Sequence, residues 1–115
     1  MPKKEILLKT TTTWDETPFE IPRIENPEVT VLKITIPRGE RLTMHKHPML
    51  NIVYLNKGTL TIVTKDGKEK TIRQGECLSE LINTPHYGRN DGNDDAELIV
   101  FYYGEKGEKL SVEEN

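Results

Sequence analysis

Cysteine is nearly absent from this chain: Cys77 stands alone in 115 residues. That excludes an internal disulfide and a cysteine-built zinc site. Long apolar runs are missing too. The longest, Leu98 to Tyr103, is six residues, against about 20 for a membrane-spanning helix. Near the N-terminus only Ile6-Leu7-Leu8 is uninterrupted, too short for a signal-peptide core. Positive charge is not in excess: 16 Lys and Arg against 19 Asp and Glu leave a net charge of −3. A nucleic-acid binder needs a basic surplus. Helical periodicity is missing as well, since no stretch beyond about ten residues carries it. These absences predict a cytoplasmic protein with no nucleic-acid partner and no membrane partner.

What is present is one domain's worth of chain. A core of this size buries roughly two thirds of the unfolded surface, so the fold needs no metal as a staple. Val29 to Ile36 is β-branched and nearly alternating, and Pro37-Arg38-Gly39 stops it. Leu50 to Leu55 is a second apolar run, closed by Asn56-Lys57-Gly58. Thr59 to Thr64 alternates again, and Asp66-Gly67 predicts a two-residue hairpin turn into Lys68 to Arg73. Cys77 to Ile82, His86 to Asn90 and Glu97 to Tyr103 complete the series. Short strands at this spacing predict an all-β sandwich or barrel. Residues 1–27 read as a strap across it, anchored by Trp14 and Phe19. Residues 28–104 read as the barrel, and 105–115 as a charged, frayed tail.

Only three histidines are available: His45, His47 and His86. The i, i+2 spacing of His45 and His47 puts both rings on one face of a strand. His86 opens a late strand after Asn83-Thr84-Pro85. If strand pairing brings it beside the other two, three imidazoles form a donor set for Fe, Mn, Ni, Cu or Zn as divalent ions. A surface pair hydrogen-bonded to its neighbours is the plainer reading of the same spacing.

The residues resemble a family at this point. Gly39, His45, His47, Asn51 and Gly58 keep every spacing of the first cupin motif, Gly-x5-His-x-His-x3-Glu-x6-Gly, with Asn51 in the place of Glu. Gly75, His86 and Asn90 keep the second, Gly-x5-Pro-x-Gly-x2-His-x3-Asn, with Leu81 for Pro and Asn83 for Gly. The chain is similar to small single-domain bacterial cupins. That resemblance implies a double-stranded β-helix, or jelly-roll barrel, with a pocket inside. It implies His45, His47 and His86 as metal-ligand positions, Asn51 in the carboxylate's place, and a homodimer. It names no reaction, because the fold hosts many.

Asn51 is the informative departure. A three-imidazole set resembles that of thiol and diketone dioxygenase cupins. With an amide beside it the set carries no charge, so a divalent ion keeps its 2+ in a low-dielectric interior, where uncompensated charge is costly. The expected ligand is a small anionic chelator. Leu81 and Asn83 are expected to alter the turn before His86 and leave the ligands alone. Metal affinity is expected to fall below pH about 6.5, where free histidine gains a proton. Glu80 reads as an exposed strand carboxylate ahead of a buried acid or base, Arg89 and Tyr54 as outward, Cys77 as core ahead of pocket lining, and Trp14, Tyr102 and Tyr103 as packing or dimer-contact residues. No pair reads as a separate general acid and base, so catalytic residues stay unassigned. Two functions remain open: a metal-dependent oxygenase or isomerase, and a non-catalytic small-ligand binder with a structural or vestigial metal.

Overall fold

A computed structural model describes residues 1–114. Nine strands and no helix are found among them: β1 (Pro27–Ile36), β2 (His45–Lys46), β3 (Leu50–Lys57), β4 (Thr59–Thr64), β5 (Glu69–Arg73), β6 (Cys77–Ser79), β7 (His86–Arg89), β8 (Ala96–Glu105) and β9 (Val112–Glu113). They pair antiparallel into two sheets, in the order β1-β8-β3-β6 and β5-β4-β7-β2-β9. The fold is the all-β sandwich that the alternating runs predict, with the jelly-roll form that the resemblance implies.

Period-two alternation decides what lies between the sheets. On β3, Asn51, Val53 and Leu55 are buried while their neighbours are half-exposed. On β8 the buried set is Ala96, Leu98, Val100, Tyr102 and Gly104. Leu60, Ile62 and Ile72 close the core from the other sheet. Each such Leu or Ile side chain contributes about 1.5–3 kcal/mol by leaving water. Tyr54 falls on the half-exposed alternation of β3. Arg89 reaches the surface, where it pairs with Glu69 and Asp91 at 2.8 and 2.6 Å. Cys77 is half-buried.

Turns explain two of the motif positions. Gly58 adopts φ +80°, and a Cβ there would lie 2.8 Å from Asp95 O, so only glycine fits. Asn83, standing where the family has Gly, also takes positive φ (+52°). Asparagine is among the residues that tolerate this region. Asn90 is buried and clamps a corner, its Nδ2 donating to Ile36 O and Asp94 O at 2.9 and 2.8 Å.

Two expectations are corrected. The β4–β5 hairpin loop is not Asp66-Gly67 alone. Thr64 N donates to Lys68 O at 2.9 Å and Gly67 N to Thr64 O at 3.0 Å, which leaves three residues in the loop. Gly67 takes φ +94° and Asp66 does not take positive φ. That is a type I turn followed by a left-handed glycine, whereas a two-residue type I′ turn needs positive φ at both centres. The tail is not frayed either. Val112 and Glu113 pair with Lys46 and His45 as an edge strand, and Leu110 packs on the core. The last residue of the expected tail, Asn115, lies outside the described residues.

The N-terminal segment lies against β6. Trp14 N donates to Ser79 O at 3.0 Å, and Ser79 Oγ donates to Thr12 O at 2.7 Å. The Trp14 ring packs on the core. Phe19 N donates to Thr11 O at 3.2 Å, which closes the segment on itself.

Candidate metal centre

The three histidines meet between the sheets. His45 on β2 pairs directly with His86 on β7. His47 lies one residue past the end of β2, so period two returns it to the same face. The ring centroids are 4.8, 4.8 and 5.0 Å apart. Their ligand atoms all lie within 4.8 Å of one another. Neighbouring ligands of one ion with bonds of about 2.1 Å are separated by about 3.0–3.4 Å, so the three ligand atoms have to draw together around an ion.

Each ring is oriented by a main-chain carbonyl. His45 Nδ1 lies 2.6 Å from Thr43 O, His86 Nδ1 2.8 Å from Thr84 O, and His47 Nδ1 2.8 Å from Leu110 O. A carbonyl oxygen only accepts, so Nδ1 carries the proton and donates it. That assigns the Nε2 lone pair of all three rings to the cavity, as metal-binding histidines require. Burial favours the neutral form of two of the rings: it pushes His45 below its ordinary value near 6.5 and His47 down to about 4.

Asn51 reaches the same cavity from the opposite sheet and is fully buried. Its Nδ2 donates to Met49 O at 3.1 Å, and its Oδ1 has no hydrogen-bond partner. His86 Nε2 is likewise buried without a hydrogen bond. Two orphaned acceptors in one cavity are costly unless something electropositive satisfies them. A divalent transition metal is such a group, and the donor set of imidazole nitrogens and oxygen fits one. The cavity is about 50 Å³, room for a few water-sized groups, and its remaining wall is mostly apolar, including Val53, Leu60, Ile62, Leu98 and Val100.

Glu80 corrects the sequence reading. It is 5% exposed and lines this cavity. Its Oε1 accepts from Trp14 Nε1 at 2.7 Å and from Leu81 N at 3.0 Å. Its Oε2 lies 3.6 Å from His86 Nε2. The signal was in the strand register: Glu80 is two residues past Leu78, a core residue opposite Val53, and so shares its inward face. Tyr102 is buried and lines the cavity, its ring centroid 5.7 Å from that of His47 and tilted 59° to it. Burial, with the Glu80 charge nearby, pushes its phenol up to about 12.

The profile of the cupin domain family matches residues 32–102, and the chain belongs to that family. No curated protein matches the sequence. Among solved structures the fold is similar to a DMSP lyase of Ruegeria pomeroyi (TM-score 0.63, 18% identity, covering 73% of this chain and 42% of the lyase). It is also similar to an oxalate decarboxylase of Lactobacillus farciminis in a formate complex (0.64, 16%, 74% and 26%). A third match is a cupin-like protein of Thermotoga maritima (0.62, 14%, 76% and 65%). The chain therefore spans less than half the length of either enzyme. At these identities the likeness establishes the fold.

Proposed function

We propose that this cupin holds one divalent transition metal on His45, His47 and His86, with Asn51 beside it, and binds a small anionic chelator there. The observation that carries the reading is the convergence of three Nε2 lone pairs, each set by a carbonyl on Nδ1. The chain's residues narrow the cavity with apolar side chains and so exclude water, and Asn51 Oδ1 offers the metal a neutral oxygen. When bound, the metal supplies Lewis acidity or oxygen activation. With the Glu80 carboxylate in the wall, a divalent ion still leaves about one positive charge unbalanced, and a carboxylate, enolate or thiolate ligand offsets it. The similar oxalate decarboxylase was solved with formate, a small carboxylate.

As an activity we propose oxygen-dependent turnover of such a chelator. The separate test is oxygen uptake by Fe(II)-loaded protein with a series of carboxylates, 2-oxo acids and thiols. Calorimetry with the same series and neutral analogues tests the ligand charge. We expect anions to bind and neutral analogues not to. Equal affinity overturns the anionic reading, and absence of uptake across the series returns the protein to the non-catalytic binding class.

We further propose a cytoplasmic homodimer. Val29 and Val31 are 56% and 60% exposed on the edge strand β1, and Val31 is paired with the part-exposed Phe101. A contiguous apolar face on an open edge is stabilised by covering it. Val31→Glu is expected to leave a monomer by light scattering; a wild-type monomer at micromolar concentration contradicts the dimer.

A further inference from the structure

Asn51 leaves the family's carboxylate position without a carboxylate, and the structure places one directly across the ladder. Glu80 N donates to Asn51 O at 2.9 Å, one step along from the paired Ile52 and Ser79. The two residues are therefore neighbours on adjacent strands, both inward-facing and both against the three imidazoles. We propose that Glu80 supplies the anionic oxygen donor of the metal centre, from β6's end of the sheet in place of β3, and that Trp14 positions it. This rests on the three-histidine reading above.

Three observations carry it. First, His86 Nε2 and Glu80 Oε2 face each other at 3.6 Å. With the proton on Nδ1 toward Thr84 O, His86 Nε2 has only a lone pair to offer, and a carboxylate oxygen has only lone pairs. Two such atoms buried face to face repel unless a cation lies between them. Neighbouring ligands of one metal with bonds of about 2.1 Å sit about 3.0–3.4 Å apart, close to the observed spacing. Second, the carboxylate is divided in use. Oε1 takes both available N–H donors, from Trp14 and Leu81. Among the described residues no hydrogen bond reaches Oε2, which is left for the cavity. Third, the Trp14 indole comes from the strap, whose backbone is tied to Ser79 by two hydrogen bonds. Outer partners of this kind fix a ligating carboxylate in place. Asn51 Oδ1, also without a hydrogen bond, adds only a neutral oxygen beside the same ion.

The experiment is Co(II) titration of the tag-free protein, read by visible absorption and by quenching of Trp14, the only tryptophan. Glu80→Gln keeps the size and can still accept from Trp14. It is expected to weaken Co(II) binding by more than the about 10–100-fold that losing an outer partner costs, and to change the visible spectrum. Trp14→Phe, read by absorption, is expected to weaken it by about 10-fold. Asn51→Ala is expected to stay within a few-fold of wild type. The double variant Asn51→Glu/Glu80→Gln moves the carboxylate back across the ladder and is expected to recover most of the affinity; it also serves if Glu80→Gln folds poorly. Glu80→Gln with wild-type affinity and spectrum, while His86→Ala loses binding, overturns the Glu80 assignment and leaves the histidine site standing. That result fits a bare His86–Glu80 ion pair. Wild-type protein that binds no Co(II) overturns both.

Discussion

Thr43 O and Thr84 O hold the rings of His45 and His86 from two residues away, whereas Trp14 holds Glu80 from 66 residues away. The two walls of the cavity are thus built by different means. On the β2–β7 wall the spacing of the chain itself sets the donors: period two aligns His45 with His47, and local carbonyls choose the tautomer. On the β3–β6 wall the oxygens depend on elements that meet only after folding. His47 stands between these cases, since its carbonyl partner, Leu110, lies 63 residues away in the C-terminal segment. A nitrogen donor set can be assembled from local geometry, but a carboxylate held in an apolar interior needs distant donors to offset the cost of burying it.

Leu55→Ala strikes the support that both walls share. Leu55 is fully buried, and its truncation is expected to lower stability by about 2–5 kcal/mol in chemical denaturation.

Acid tests the nitrogen wall. Both His45 and His47 are held below the ordinary histidine value by burial, His47 at about 4. The unfolded chain therefore binds protons that the folded chain refuses between pH about 6.5 and about 4. Stability is full above 6.5 and falls as pH drops through that window. For His47 the loss by pH 4 amounts to about 3 kcal/mol. Urea unfolding of the metal-free protein at pH 7, 5.5 and 4 measures it; a flat profile contradicts neutral burial. The same depression moves the expected loss of metal affinity below the pH of about 6.5 that free histidine suggests.

Removing residues 110–115 sharpens the intermediate case. His47 loses its carbonyl partner and β2 loses β9. Metal affinity is expected to fall by about 10–100-fold, while circular dichroism stays that of the barrel. Unchanged affinity would show that the His47 ring needs no distant anchor.

The smallest effect is expected at the surface. Arg89 pairs with Glu69 and Asp91 where water screens them. Arg89→Ala is expected to cost under about 1 kcal/mol.

The same local-versus-distant division governs what was legible beforehand. Strand alternation, both spaced motifs and the three histidines are local patterns, and the structure follows them. The hairpin at Asp66-Gly67 is displaced by one residue, because Asp-Gly serves both the two-residue turn and the three-residue turn with a left-handed glycine. The charges of 105–114 suggest fraying, yet Val112 and Glu113 find an open edge on β2. For Glu80 the sequence allows a buried acid or base but favours an exposed carboxylate, because carboxylates seldom face a core. Its inward register from Leu78 was readable, but its donors, Trp14 Nε1 and Leu81 N–H, belong to the fold.

The most direct measurement is metal content by plasma mass spectrometry after loading and desalting, for tag-free wild type and His86→Ala. We expect about one divalent transition metal per wild-type chain and close to none in the variant. A metal-free wild type, or a His86→Ala protein that retains the same metal, contradicts the three-histidine centre.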